Sequence, residues 1–141
     1  MKKQFSILAV FVALFALATT ISSCEKDEGK APNISFKTTG SYTSADKNVH
    51  SGDTIVVGIT ASKAEDKDVL KSFSIQHTVN AGATSVTDNT INPLATSDEN
   101  SFDKDFTLYP SGALNDKLKY TFSVTNRDGI TGTVSFTLTV N

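Results

Sequence analysis

The C-terminal part of the chain alternates apolar and polar side chains with a period of two, and that period fixes the element it can form. Leu118, Tyr120, Phe122 and Val124 alternate with Lys119, Thr121, Ser123 and Thr125. After Asn126-Arg127-Asp128-Gly129, Val134, Phe136, Leu138 and Val140 alternate with Ser135, Thr137 and Thr139. Successive side chains of a strand point to opposite faces, so each run buries one face and wets the other. A helix would scatter the same residues around its circumference. Asp128-Gly129 supplies the positive φ that a tight hairpin turn needs.

The same period runs upstream. Ile34 and Phe36 mark a first strand just after Pro32. Gly52-Asp53 turns the chain into Ile55, Val57, Ile59 and Ala61. Phe73, Ile75, His77 and Val79 share one parity up to an Ala81-Gly82 turn, and residues 84–91 form a weak, polar strand of edge composition. Phe102, Phe106 and Leu108 alternate with Asp103, Asp105 and Thr107. No stretch has a helical period. The pattern predicts an all-β domain over residues 32–141, a single antiparallel sandwich of about seven strands. Its core is expected to unite Phe36, Val57, Phe73, Phe106, Tyr120, Phe122 and Phe136.

The segment KYTFSVTNRDGITGTVSFTLTV, residues 119–140, resembles the last two strands of Ig-like, fibronectin-III-like and PKD-like modules of bacterial surfaces. Leu114 precedes Tyr120 by the spacing of a tyrosine corner, in which a buried phenol bonds to backbone upstream. The resemblance therefore implies a Tyr120 hydroxyl held by backbone between residues 112 and 117. Paired cysteines and a core tryptophan are missing, which excludes the antibody-type domain.

The N-terminus carries an address. Lys2 and Lys3 precede an unbroken apolar run from Ile7 to Ala18. That run falls short of the roughly 20 residues a membrane-spanning helix needs, and it matches the core of a secretory signal peptide over residues 1–23. Ile21-Ser22-Ser23-Cys24 resembles the bacterial lipobox, in which the cysteine thiolate is alkylated by a diacylglyceryl group before cleavage. Cys24 is the sole cysteine of the chain, so no intramolecular disulfide competes for it. Glu25-Lys26-Asp27-Glu28 resembles the lysine-plus-acidic tag that follows the lipidated cysteine in Bacteroidetes surface lipoproteins. The resemblance implies an outer-membrane protein anchored through acylated Cys24, displayed on the cell surface through Lys26, Asp27 and Glu28, with residues 24–31 as a short tether. Loss of Lys2 and Lys3 leaves 11 Lys/Arg against 15 Asp/Glu, a net charge of −4. That balance excludes a nucleic-acid partner and a polybasic lipid contact.

The search for chemistry is less productive. His50 lies in a turn and His77 on the apolar parity of its strand, and neither G-x-S-x-G nor H-E-x-x-H occurs. Asp103 and Asp105 share a strand face, which is no cleft for paired-carboxylate hydrolysis. The expectation is that the domain is not an enzyme. Calcium is the metal to consider, with Asp98, Glu99, Asp103 and Asp105 close in sequence and Asp66 and Asp68 in another loop. No other cofactor is expected. Tyr42 and Tyr109 are candidate ligand contacts, and Asp53-Thr54-Ile55 matches the short tripeptide that Bacteroidetes O-glycosylate, at Thr54. The expected role is a binding or assembly module for a protein or host ligand. The alternative is a glycan-binding accessory module for polysaccharide uptake. A concave face bearing Tyr42 or Tyr109 would favour a glycan, and a flat hydrophobic patch would favour protein.

Overall fold

The computed structural model describes residues 29–141. Cys24 and the tag Lys26, Asp27 and Glu28 lie outside the described residues. Within them every expected strand is present: β1 (Asn33–Phe36), β3 (Ile55–Ser62), β4 (Leu70–Val79), β5 (Ser85–Ile91), β6 (Ser101–Leu108), β7 (Lys117–Asn126) and β8 (Thr131–Val140). An eighth strand, β2 (Lys47–Val49), was not expected. It is too short to show a period. The Asp46 carboxylate accepts the Thr137 N–H at 2.7 Å, and Lys47 to Val49 then run parallel to Leu138 to Val140.

The strands form two sheets, β1-β3-β6 and β2-β8-β7-β4-β5. The chain crosses between them after β1, β2, β3, β5 and β6, and the two sheets pack face to face as the expected β-sandwich. β7 and β8 pair in the register Tyr120–Phe136 and Phe122–Val134, and Gly129, at φ 80°, makes the turn. The apolar faces meet as expected. Val57, Phe73, Tyr120, Phe122 and Phe136 are buried, with Phe36 and Phe106 packed against them at the margin. Phe73 stacks on Phe102 and Phe106 at centroid distances of 4.8 and 4.9 Å, joining the two sheets through rings.

At one pole of the sandwich the segment that leads into β1 is held by Asn126. Asn126 is 2% exposed, and its side-chain amide donates to the Lys30 carbonyl at 3.2 Å and to the buried Asp68 carboxylate. Its carbonyl accepts the N–H groups of Asp128 and Ile130 at 3.1 and 2.8 Å, so one side chain closes the β7–β8 turn and pins the entering chain. Gly132 completes the arrangement, because a Cβ there would run into the Pro32 carbonyl oxygen.

Candidate functional site

The two sheets differ by two strands, so the inner face of the larger one is not fully covered. His77 and Val79 share the inward parity of Phe73 and Ile75, and Val86 pairs with His77. Val79 and Val86 are nevertheless 38% and 48% exposed. The uncovered strip lies on the β4–β5 hairpin, opposite the free edge of β6.

Between that strip and β6 opens a cleft of about 460 Å³. One wall is residues 105–109, and the other is formed by Ile75, Asp88, Asn89 and Tyr120. Asp88 reaches the cleft through a β-bulge. Gln76 pairs with Thr87 but Ile75 with Asn89, which leaves Asp88 as the extra residue. Bulges re-aim side chains in this way. Both Asp88 carboxylate oxygens reach His77 Nδ1, at 2.9 and 2.8 Å, and the imidazole lies 5.2 Å from the Tyr120 ring. Burial and the nearby Asp88 charge push the Tyr120 phenol up to about 12. Tyr109, 67% exposed, lies at the end of β6 beside Pro110.

Tyr42 does not line this cleft. It belongs to a polar cluster on the outer face of the three-stranded sheet, where the Lys37 stem crosses Gly58. Lys37 Nζ pairs with Asp103 and, at 2.8 Å, with Asp105, and the Tyr42 hydroxyl donates to Asp105 at 2.7 Å. The Lys37 and Tyr42 bonds hold the Asp105 carboxyl below its ordinary range, and the bond to Asp105 raises Tyr42. Tyr42 and Tyr109 therefore form no common platform; Asp105 stands between them.

The four carboxylates considered for calcium are each paired with a lysine. Asp98 pairs with Lys104 at 3.0 Å, Glu99 with Lys71 at 2.7 Å, and Asp103 and Asp105 with Lys37. Asp68 is buried against Asn126, and Asp66 lends its carbonyl to Lys63. No group of three or more His, Cys, Asp or Glu among the described residues is placed to hold a metal ion. Thr54 is exposed, while Asp53 accepts the His50 N–H at 2.8 Å within the turn. A second concavity, about 480 Å³ on the outer face beside β2, is lined by Lys47, Lys117 and their neighbours and carries no aromatic side chain.

The tyrosine corner is absent, a correction to the expectation from spacing. Tyr120 lines the cleft, and Leu114 is 71% exposed. The loop is closed by Asp116, which accepts the Ala113 N–H at 2.8 Å and an Asn80 amide hydrogen at 2.7 Å. Those two bonds also lower its carboxyl. Tyr120→Phe is accordingly expected to change unfolding free energy by less than about 1 kcal/mol, since no backbone group loses its partner. The variant should also lose a phenol that titrates near pH 12 in alkaline absorbance. A loss above about 2 kcal/mol would reinstate the corner.

Sequence reasoning identified Tyr109 but missed Asp88 and Asn89, which lie in a strand with no apolar pattern. The one available signal was His77, a polar side chain on an apolar parity.

No protein-family model matches the chain, and no curated protein matches it in sequence. Among solved structures it is similar to a superoxide reductase (neelaredoxin) from Ignicoccus hospitalis. The TM-score is 0.52 at 11% identity, over 84% of this chain and 86% of that one. At that identity the likeness shows the fold alone. It nevertheless overturns the expectation that the domain is not an enzyme, because an enzyme is built on this fold. The exclusion rested on hydrolase motifs, and a reductase needs none of them.

Proposed function

We propose that the chain is a lipid-anchored outer-membrane lipoprotein, displayed on the cell surface, whose sandwich binds a ligand in the cleft between β5 and β6. The observation that carries this reading is polarity. The tether root is bonded to Asn126 at one pole, while Tyr120 lies six residues further back along β7, about 20 Å away at strand rise. Tyr109 is further still from that pole, past the far end of β6. With Lys30 pinned, five residues separate the domain from Cys24, a reach of about 17 Å. A cleft at the membrane-distal pole faces partners outside the cell.

The test is protease shaving of intact cells, with fractionation of membranes. Wild type is expected in the membrane fraction and sensitive to shaving. Cys24→Ser should remain an unprocessed, unacylated precursor. Alanine at Lys26, Asp27 and Glu28 should leave the protein acylated but protected from the protease. Normal processing of Cys24→Ser would refute the anchor. Equal protease resistance of wild type and the triple variant would refute display.

A second reading, a glycan-binding accessory module, is favoured by one feature: the cleft is concave and Tyr109 lies at its rim.

A further inference from the structure

The hydrogen-bonding groups on the free edge of β6 follow from its register. The Lys63 N–H donates to the Asn100 carbonyl at 3.2 Å, continuing the β3–β6 pairing. Bonded and non-bonded pairs alternate along an antiparallel ladder. Ala61–Phe102, Ile59–Lys104 and Val57–Phe106 are therefore the bonded pairs. The opposite edge of β3 agrees, since the Lys37 N–H donates to the Gly58 carbonyl at 2.8 Å. Asp103, Asp105 and Thr107 thus aim their backbone N–H and C=O groups away from β3, where no strand among the described residues receives them.

The other edges are blunted, as sheet edges usually are. β1 and β2 are four and three residues long, and β5 is broken by its bulge. The first half of β6 carries Lys104, which is tied to Asp98. The second half has no such guard. Residues 105–109 all line the cleft, whatever their parity, so the cleft runs along the backbone edge and not over a side-chain face. Across it lie Ile75 and, further along the hairpin, the exposed Val86. The charged side chains lining it are Asp88 and Asp105. Asp105 shares a single lysine, Lys37, with Asp103, so two carboxylates face one ammonium and the edge keeps a negative charge.

We propose that this edge accepts an extended, basic segment of a partner protein as a fourth strand of the three-stranded sheet. Alternate side chains of that segment are apolar and cover the exposed strip at Val79 and Val86. The ones between are cationic and lie beside Asp103 and Asp105. Main-chain bonds supply affinity and the alternating side chains supply specificity, as in strand addition generally. The proposal rests on the binding-module reading of the same cleft and names its ligand class.

The probe is a fluorescent decapeptide of alternating valine and lysine, titrated by anisotropy against the mature acylated protein in non-ionic detergent. Saturable binding is expected, with slowed amide exchange at Asp105 and Thr107. Thr107→Pro deletes one outward N–H while leaving every β3 bond intact, and it should weaken binding about tenfold or more. Should that variant fail to fold, peptides N-methylated at alternate nitrogens give the same test on the unaltered protein: one phase should bind and the other should not. Absence of saturable binding, or equal binding by a folded Thr107→Pro, overturns the proposal. Neutral oligosaccharides bound in the cleft, with no peptide binding, would overturn strand addition and leave the binding-module reading standing. Failure of both probes would remove both readings.

Discussion

Phe122→Ala is expected to cost about 3–5 kcal/mol, the usual loss for truncating a buried phenylalanine. Phe122 is fully buried in the middle of β7, flanked in register by Ile75 on β4 and Val134 on β8. Its ring meets Phe36 edge-on at 5.4 Å and Phe136 at 5.7 Å. Phe36 belongs to the three-stranded sheet and Phe136 to the five-stranded one, so the truncation opens a cavity at the junction of the layers. Ladder bonds on both sides hold β7 in place, which limits how far the backbone can collapse into that space. A domain of this size holds about 5–15 kcal/mol, so the variant is expected to be partly unfolded at 37 °C. Urea titration followed by far-UV circular dichroism reads the change. A loss below about 1 kcal/mol would mean that the ring is not where the two sheets meet.

Asn126→Ala should be nearly as damaging, for a different reason. The Asn126 side chain satisfies four polar groups: Asp68, the Lys30 carbonyl, and the N–H groups of Asp128 and Ile130. Asp68 is itself 2% exposed, and its second oxygen accepts the Val69 N–H at 2.7 Å. Removing the amide leaves a buried carboxylate short of a donor and two turn N–H groups short of an acceptor. Groups left so cost about 1–3 kcal/mol each, more when charged, so a total loss of about 3 kcal/mol or more is expected. The variant should also release the chain at residues 29–31, which limited proteolysis would detect as new cleavage just before β1. Stability within about 1 kcal/mol of wild type, with no new cleavage, would show that the clamp is dispensable.

Much of this molecule was legible before its structure. Period-two alternation located β1, β3, β4, β6, β7 and β8, because a strand with one wet face writes its orientation into every second residue. The polar composition of residues 84–91 marked β5 as an edge for the same reason. β2 was illegible: three residues carry no period, and its position depends on an Asp46 bond to a strand distant in sequence. The spacing of Leu114 and Tyr120 misled, because spacing does not say which group closes a loop. Asp116, beside the turn, reached the free N–H first.

The sequence by itself determined the sandwich, the identity of its core and the lipobox resemblance at Cys24, all of which depend on local order along the chain. The tertiary structure alone decided the cleft, the clamp and the charge pairing. Asp88 meets His77 through a one-residue bulge, and Asp103 meets Lys37 across three strands. Asn126 meets Asp68 and Lys30 only because the sheets bring one end of each strand to the same pole. Polar partners are chosen by proximity after the apolar faces have packed, and no periodicity along the chain records that choice.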